Sequence, residues 1–161
     1  MTKKTQELVN KLRTYWPHPD KAIIFEFRGG TGWSVESRAD AIAMDLWPSN
    51  GLELVGFEIK TSRQDWLKEL KNPLKADPIK RFCDKWYLIV DDETICKWWE
   101  ELPKDWGMMV VDYTGKLVVK KEAPQLESEP IDRFFLASLM RIASRPFDEV
   151  IINGKEYQIK K

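Results

Sequence analysis

The sequence predicts one mixed α/β domain with a mostly β centre. Three observations carry this. The chain opens with an amphipathic helical stretch. Short apolar runs separated by turn residues follow it. Further helical stretches interrupt those runs after Thr61 and close the pattern after Pro130. At 161 residues the chain fits a single domain, and 43% hydrophobic residues supply a core.

The elements follow in order. Thr2 to Trp16 reads as a helix because Leu8, Val9, Leu12, Tyr15 and Trp16 recur at helical spacing, and Pro17 and Pro19 stop it. Ala22 to Phe27 is a strand, with Ile23, Phe25 and Phe27 expected on one face and Ile24 and Glu26 on the other. Gly29-Gly30-Thr31-Gly32 is a turn. It lacks the Gly-Lys-Ser/Thr ending of a phosphate-cradling loop. Val35 to Leu46 and Leu52 to Lys60 are extended runs joined by the breakers Trp47 to Gly51, which reads as a hairpin. Thr61 or Ser62 caps a helix running to about Lys71, with Asp65 in its first turn. A second helical stretch spans Pro73 to Phe82, and Lys85 to Val90 is an apolar strand. Ile95 to Glu101 reads as a short helix. Gly107 to Asp112 and Lys116 to Lys121 form a hairpin, and Pro124 to Pro130 is an acidic loop. Ile131 to Ala143 is the last helix. Val150 to Ile159 is a hairpin around Asn153-Gly154, a strong signal for a type I′ turn. The core is expected over about residues 20–112, with the helix and hairpin of 131–160 as a C-terminal addition.

Composition excludes several classes. Lys plus Arg and Asp plus Glu are each 26, so there is no global basic bias, and any nucleic-acid role must rest on local charge. Cys83 and Cys96 are too sparse for a disulfide scaffold or a zinc site, so reduced thiols are expected. The polar start of the chain lacks the apolar run of a signal peptide, and no stretch approaches the roughly 20 apolar residues of a membrane span. A cytoplasmic protein is expected. His18 is the sole His, between two prolines, and gives no support to a His-based nucleophile.

Arg38 to Lys60 carries the chemistry. Glu58 and Lys60 are one residue apart on a strand and so point to one face. A carboxylate and an ammonium at the end of the apolar run Leu54 to Phe57 are costly to desolvate and need each other, a metal or water. If the hairpin pairs through Pro48 to Gly51, Asp40 lies nearly opposite Glu58. Two carboxylates brought close repel unless a cation joins them, and Mg²⁺ (or Mn²⁺) suits such a pair because it keeps waters for the substrate. Asp40, Glu58 and the Ile59 backbone carbonyl are the candidate ligands. Lys60 is the candidate for orienting a hydroxide at phosphorus. The same spacing also suits a surface salt bridge between Glu58 and Lys60 beside an unrelated Asp.

The segment from Arg38 to Asp112 resembles the PD-(D/E)xK nuclease superfamily. It is more closely similar to the branch of small bacterial and phage proteins related to the DNA-repair protein MmcB. Four motifs carry the resemblance in order: Arg38-Ala39-Asp40, Glu58-Ile59-Lys60, Ser62-Arg63-Gln64-Asp65-Trp66 and Cys83-Asp84-Lys85-Trp86. The later stretch from Glu101 to Asp112, which opens Glu101-Leu102-Pro103-Lys104-Asp105-Trp106, looks like the family's continuation. Ala39 stands where the superfamily's name has Pro. The resemblance implies a restriction-endonuclease-like core, a central mixed β-sheet flanked by helices. It also implies a metal-dependent DNA endonuclease with Asp40, Glu58 and Lys60 as catalytic residues, working in repair, recombination or phage DNA processing. DNA is the implied partner, in a bacterial or phage-infected cell. A homodimer is a candidate assembly, since junction-cutting members act as dimers. Many members carry one more upstream acid, for which Glu7, Glu26 and Glu36 are candidates, Glu26 and Glu36 foremost.

Arg63, Lys68, Lys71, Lys75, Lys80 and Arg81 cluster just after the triplet. With Arg38 they would hold phosphates, and the expected DNA-contacting set is Arg38, Arg63, Lys71, Lys75, Lys80 and Trp33, the Trp as a stacking residue. Asp65 either caps its helix or orients Lys60. Trp66 and Trp86 belong to the core, and one of Trp98 and Trp99 marks an interface. Two competing readings remain: a DNA-binding module on the nuclease fold without cleavage, and a protein-interaction domain using exposed Trp.

Overall fold

Thr2 accepts a hydrogen bond from the Thr5 amide and so starts α1 (Lys3–Tyr15), whose Leu8, Val9 and Leu12 form a buried stripe. In this computed structural model, residues 2–29, 37–144, 149–152 and 155–158 are described. Six strands make the main sheet in the order of the chain: β1 (Lys21–Arg28), β2 (Arg38–Asp45), β3 (Leu54–Lys60), β4 (Lys85–Val90), β5 (Gly107–Val111) and β6 (Leu117–Lys121). The β1–β2, β2–β3 and β5–β6 pairs are antiparallel, and β3–β4 and β4–β5 are parallel. The crossover from β3 to β4 holds α2 (Arg63–Leu70), a 3-10 turn (Pro73–Ala76) and α3 (Asp77–Lys80). Then come α4 (Arg133–Ala143) and a separate hairpin, β7 (Glu149–Ile152) with β8 (Lys155–Gln158). The fold is therefore α/β: a mixed sheet flanked by helices, consistent with a restriction-endonuclease-like core.

The sheet is covered on both faces, which is why β3 and β4 are nearly all apolar. One face packs under α1, with Val55, Phe57, Ile59, Tyr87 and Ile89 below Leu8, Val9 and Leu12. The other carries the larger core, where Trp66, Ile79, Phe82 and Phe135 from the helical side meet Trp86, Leu88 and Met108. Trp86 lies flat over Gly56 on the neighbouring strand: a Cβ there would stand 2.1 Å from its ring.

Most expected elements lie within a residue or two of where the pattern puts them. Four differ. Ile95 to Glu101 is not a helix: Asp92 caps a 3-10 turn (Glu93–Ile95), Cys96 is extended, and the Glu100 and Glu101 amides close a single turn on the Lys97 carbonyl. Trp98 and Trp99 thus sit in a turn, Trp98 packed against the core and Trp99 64% exposed. The stretch Pro73 to Phe82 is divided into the 3-10 turn and α3, with Pro78 inside the short helix. Phe27 does not share a face with Phe25: Phe25 packs on the α1 side and Phe27 on the other. Part of the Val35–Leu46 run, the Gly30–Gly32 turn and Asn153-Gly154 lie outside the described residues.

Gly56→Ala should lower stability by at least about 2 kcal/mol, because the Trp86 ring has no room to move in a filled core. Urea unfolding measures this. An unchanged midpoint would mean that the indole is free to shift.

Candidate active site

The Phe25–Phe27 switch of face has a local cause. Phe25↔Ala41 and Phe27↔Ala39 are paired, but Glu26 and Asp40 between them are not, and Glu26 has φ +51°. Left-handed backbone at a Glu is uncommon and reverses the alternation of the strand. The partner strand switches as well, with Ala39 in one core and Ala41 in the other. The β2–β3 ladder stops at Ala41↔Phe57, one step before Asp40 and Glu58. Asp40 then uses its side chain where a strand carbonyl would serve: Oδ2 accepts the Ile59 amide at 2.8 Å. Its other oxygen lies 3.7 Å from Arg38 Nη2. Asp40 and Glu58 are thus level across diverging strands, as the hairpin register implied.

Glu58 and Lys60 share one face of β3, at its C-terminal end. Lys60 Nζ lies 2.5 Å from Glu58 Oε1 and 3.0 Å from Glu69 Oε2, and its side chain is only 13% exposed. Glu69 reaches this point from α2, which is tied down in three ways. Ser62 caps it by accepting the Asp65 amide and donates to Asp65 Oδ2 at 2.9 Å. Trp66 buries its ring in the core. Arg63 forms a two-pronged ion pair with Glu101 and donates to the Ile95 carbonyl at 3.0 Å. Glu101 also accepts from Trp66 Nε1, and the Arg63 hydrogen bonds hold its carboxyl down at about 2.

These groups open on a cleft of about 630 Å³ lined by Glu26, Arg38, Asp40, Glu58, Ile59, Lys60, Thr61, Asp65 and Lys75, with Thr2, Thr5, Val9 and Phe25 from the α1 side. The first turns of α1 and α2 border it, and a helix N-terminus favours negative charge. Burial first, then the charge of Asp40, pushes the Glu58 carboxyl from the usual 4.5 up to about 7, against the pull of Lys60. Burial alone would lower Lys60, but Glu58, Glu69 and Asp40 together hold it above the ordinary lysine value.

The cleft gathers only part of the expected set. Asp40, Glu58, Lys60, Ile59, Arg38 and Lys75 are together, and Glu26 is the upstream acid that lines the same space. Glu7 is exposed on α1 and does not line it; Glu36 and Trp33 lie outside the described residues. Arg63 is a correction to the phosphate-contacting set, because its guanidinium is spent on Glu101 and Ile95. Lys80 is a second correction: it is clasped by Asp77 and Asp105 in another groove, of about 750 Å³, beside Arg81. Lys71 is exposed beyond the end of α2 and does not line the cleft. Asp65 belongs to the cap and pairs with Lys68 at 3.3 Å. Trp66 and Trp86 are core residues, and Cys83 and Cys96 are buried free thiols whose ionisation burial pushes up to about 12.

Sequence reasoning missed two residues. Glu69, on a helix rich in Lys, has the look of a partner for its own neighbours, but it lies three residues after Trp66 and therefore on the same buried side of α2. That spacing was the available signal. Arg28 stands directly across β1–β2 from Arg38, two cations in register at the mouth of the sheet.

Among the described residues no group of three His, Cys, Asp or Glu side chains is placed to hold a metal ion. The donor set is two carboxylates, Asp40 and Glu58, which stand level, and the charge of Asp40 adds to the cost of ionising Glu58. That set fits Mg²⁺, which takes one or two carboxylates and completes its shell with waters and phosphate oxygens. No helix is long and apolar enough to cross a membrane among the described residues.

No protein-family model matches the chain, and no curated protein matches it. A solved structure of a protein of unknown function from Silicibacter pomeroyi is similar over 89% of this chain and 86% of its own, with a TM-score of 0.62 and 20% sequence identity. The two share a fold.

The raised Glu58 value sets the sign of a pH effect. A carboxyl whose folded value exceeds its unfolded one adds stability below about pH 4.5, and that contribution is lost as pH rises to about 7. Wild type should lose up to about 3 kcal/mol over that interval relative to Glu58→Gln, which stays neutral, in chemical unfolding with EDTA present. Parallel curves for the two proteins would place the Glu58 carboxyl in a water-like setting.

Proposed function

We propose that this chain is a divalent-metal-dependent deoxyribonuclease of the PD-(D/E)xK superfamily, on the MmcB-like branch, hydrolysing phosphodiester bonds of DNA in repair, recombination or phage DNA processing. The single observation that carries the reading is the meeting of Asp40 with Glu58 and Lys60 at the strand divergence, all on one cleft. An apolar strand that ends in two ion-paired side chains facing a third charge is costly to build, and such perturbed groups concentrate at functional sites. The setting would be the cytoplasm of a bacterial or phage-infected cell, with a homodimer as the candidate assembly.

Asp40 and Glu58 would hold Mg²⁺ or Mn²⁺ together with the Ile59 carbonyl, and Glu26 is the candidate for a further carboxylate. Bound there, the cation supplies Lewis acidity that lowers the pKa of a bound water and neutralises a phosphoryl oxygen. Glu58 must give up its proton to serve, which makes the site pH-dependent. Lys60 orients the attacking water and offsets the charge that builds on phosphorus as the new P–O bond forms and the ester bond breaks. Arg38 and Lys75, each about half exposed on the cleft and only loosely paired with Asp40 at 3.7 Å and Glu69 at 4.0 Å, hold flanking phosphates.

Supercoiled plasmid should be nicked or linearised in Mg²⁺ or Mn²⁺ and left intact in EDTA, with the rate lowered at least about 100-fold in Lys60→Ala. Cleavage in EDTA, or full activity of Lys60→Ala, would sink the mechanism. DNA binding without cleavage in any metal, retained in Asp40→Asn, would favour a binding module on the nuclease fold instead.

Phosphate contacts are tested separately by binding at several salt concentrations. Arg38→Ala and Lys75→Ala should each weaken DNA binding and reduce the slope of log K against log salt by about 1, whatever the sequence. Arg63→Ala should leave the slope unchanged and reduce stability, since its charge is already matched by Glu101. A reduced slope in Arg63→Ala would return it to the interface.

A further inference from the structure

Glu69 is a deeply buried carboxylate at the reactive lysine that the proposed hydrolysis leaves without a role. Its side chain is 8% exposed, on the helix that follows the Glu58–Lys60 strand. Oε2 lies 3.0 Å from Lys60 Nζ and 4.0 Å from Lys75 Nζ. Lys60 therefore has two carboxylate partners that differ in one respect: Glu58 lines the cleft and Glu69 stands behind it. Nothing in the local fold requires a charge at Glu69. Its helix is already fixed by the Ser62 cap, by buried Trp66 and by the Arg63–Glu101 pair. Burying an acid at such a position costs several kcal/mol unless it is paired, so the pairing with Lys60 is the reason it can stay.

We infer that Glu69 is the positioning residue for Lys60: it keeps the ammonium at its place in the cleft when Glu58 turns to a divalent cation. The inference rests on the nuclease reading above. A cation on Glu58 withdraws the partner that now lies 2.5 Å from Nζ. A lysine only 13% exposed cannot turn fully to water, so without a second anchor it either competes with the cation for Glu58 or leaves the cleft. Glu69 removes that conflict. It is close enough to hold Nζ and sits outside the cleft lining, on a different element from Glu58. Lys75, at the cleft margin, is the only other cation within ion-pair distance of Glu69 among the described residues.

The test is a double-mutant cycle read by Mn²⁺ affinity, from calorimetry of the whole chain, alongside single-turnover DNA cleavage in Mg²⁺. Glu69→Gln should weaken Mn²⁺ binding about five- to thirty-fold with Lys60 present, within the range of coupled contact pairs, and by no more than about two-fold in the Lys60→Met background. Glu69→Asp, which keeps the charge but draws the carboxylate back, should also slow cleavage; it carries the test if the Gln variant does not fold by circular dichroism. If Glu69→Gln weakens Mn²⁺ binding equally in both backgrounds, or Glu69→Asp behaves as wild type, Glu69 acts by its charge alone and the inference falls while the metal reading stands. If wild type binds no Mn²⁺, both fall together.

Discussion

An ammonium group held between two carboxylates, almost out of water, is the interaction on which the rest of this molecule turns. Lys60 keeps its charge at 13% exposure because Glu58 and Glu69 face it from two elements. Remove either and the ammonium keeps a single partner in a site almost out of water, where an incompletely paired charge is costly. The surrounding fold can be derived from that need. β3 must be interior, so that its end is sheltered; α2 must follow at once and turn back, so that Glu69 arrives; and α2 must be pinned, which the Ser62 cap and the Arg63–Glu101 pair achieve. The Trp86 ring over Gly56 lies two residues before Glu58 and fixes the strand from beneath.

The second requirement is that Asp40 reach this place without adding a third buried carboxylate. The strands solve it by parting. With Glu26 in left-handed backbone, the β1–β2 pairing skips 26 and 40, the β2–β3 ladder stops at Ala41↔Phe57, and the carboxylate of Asp40 takes over as acceptor for the Ile59 amide. A charged acceptor makes a stronger hydrogen bond than a carbonyl does. The same event leaves Asp40 half-buried beside Arg38 rather than fully enclosed. Placing the acid at a strand divergence thus gives it one fixed partner and leaves the other oxygen toward the cleft residues.

The sequence made much of this legible. Periodicity and turn residues located the helices and strands, and counting from the Pro48–Gly51 turn put Asp40 level with Glu58. The face of Phe27 was not legible, because alternation presumes regular backbone, and Glu26 gives no sign of a left-handed φ in its residue type. The 95–101 segment failed for a related reason. Its Trp and Glu residues suit a helix, but Asp92 caps a single 3-10 turn and Glu101 is drawn off to Arg63. Glu69 was readable in principle from its spacing to Trp66. It was passed over because a Glu on a helix rich in Lys reads as a partner for its own neighbours.

Charge clustering along the chain was the poorest guide, and the reason is instructive for a protein of zero net charge. The basic run from Arg63 to Arg81 looks like one positive surface, yet Arg63, Lys68, Lys80 and Arg81 each face an internal carboxylate, from Glu101, Asp65, Asp77 with Asp105, and Glu129 with Asp132. Arg63 and Lys80 tie the β3–β4 crossover to Glu101 and Asp105, while Lys68 pairs within its own helix and Arg81 with two exposed acids, so the run is matched by nearby negative charge. At the cleft, Arg38 lies 3.7 Å from Asp40 and Lys75 4.0 Å from Glu69, both half exposed and bordered by two helix N-termini. A protein built this way cannot gain much affinity from non-specific attraction, which grows with the number of phosphates neutralised. On the nuclease reading proposed above, its grip on DNA would come from contacts made in the cleft itself, and recognition would rest on the geometry of Asp40, Glu58 and Lys60 and on the residue that holds Lys60 steady.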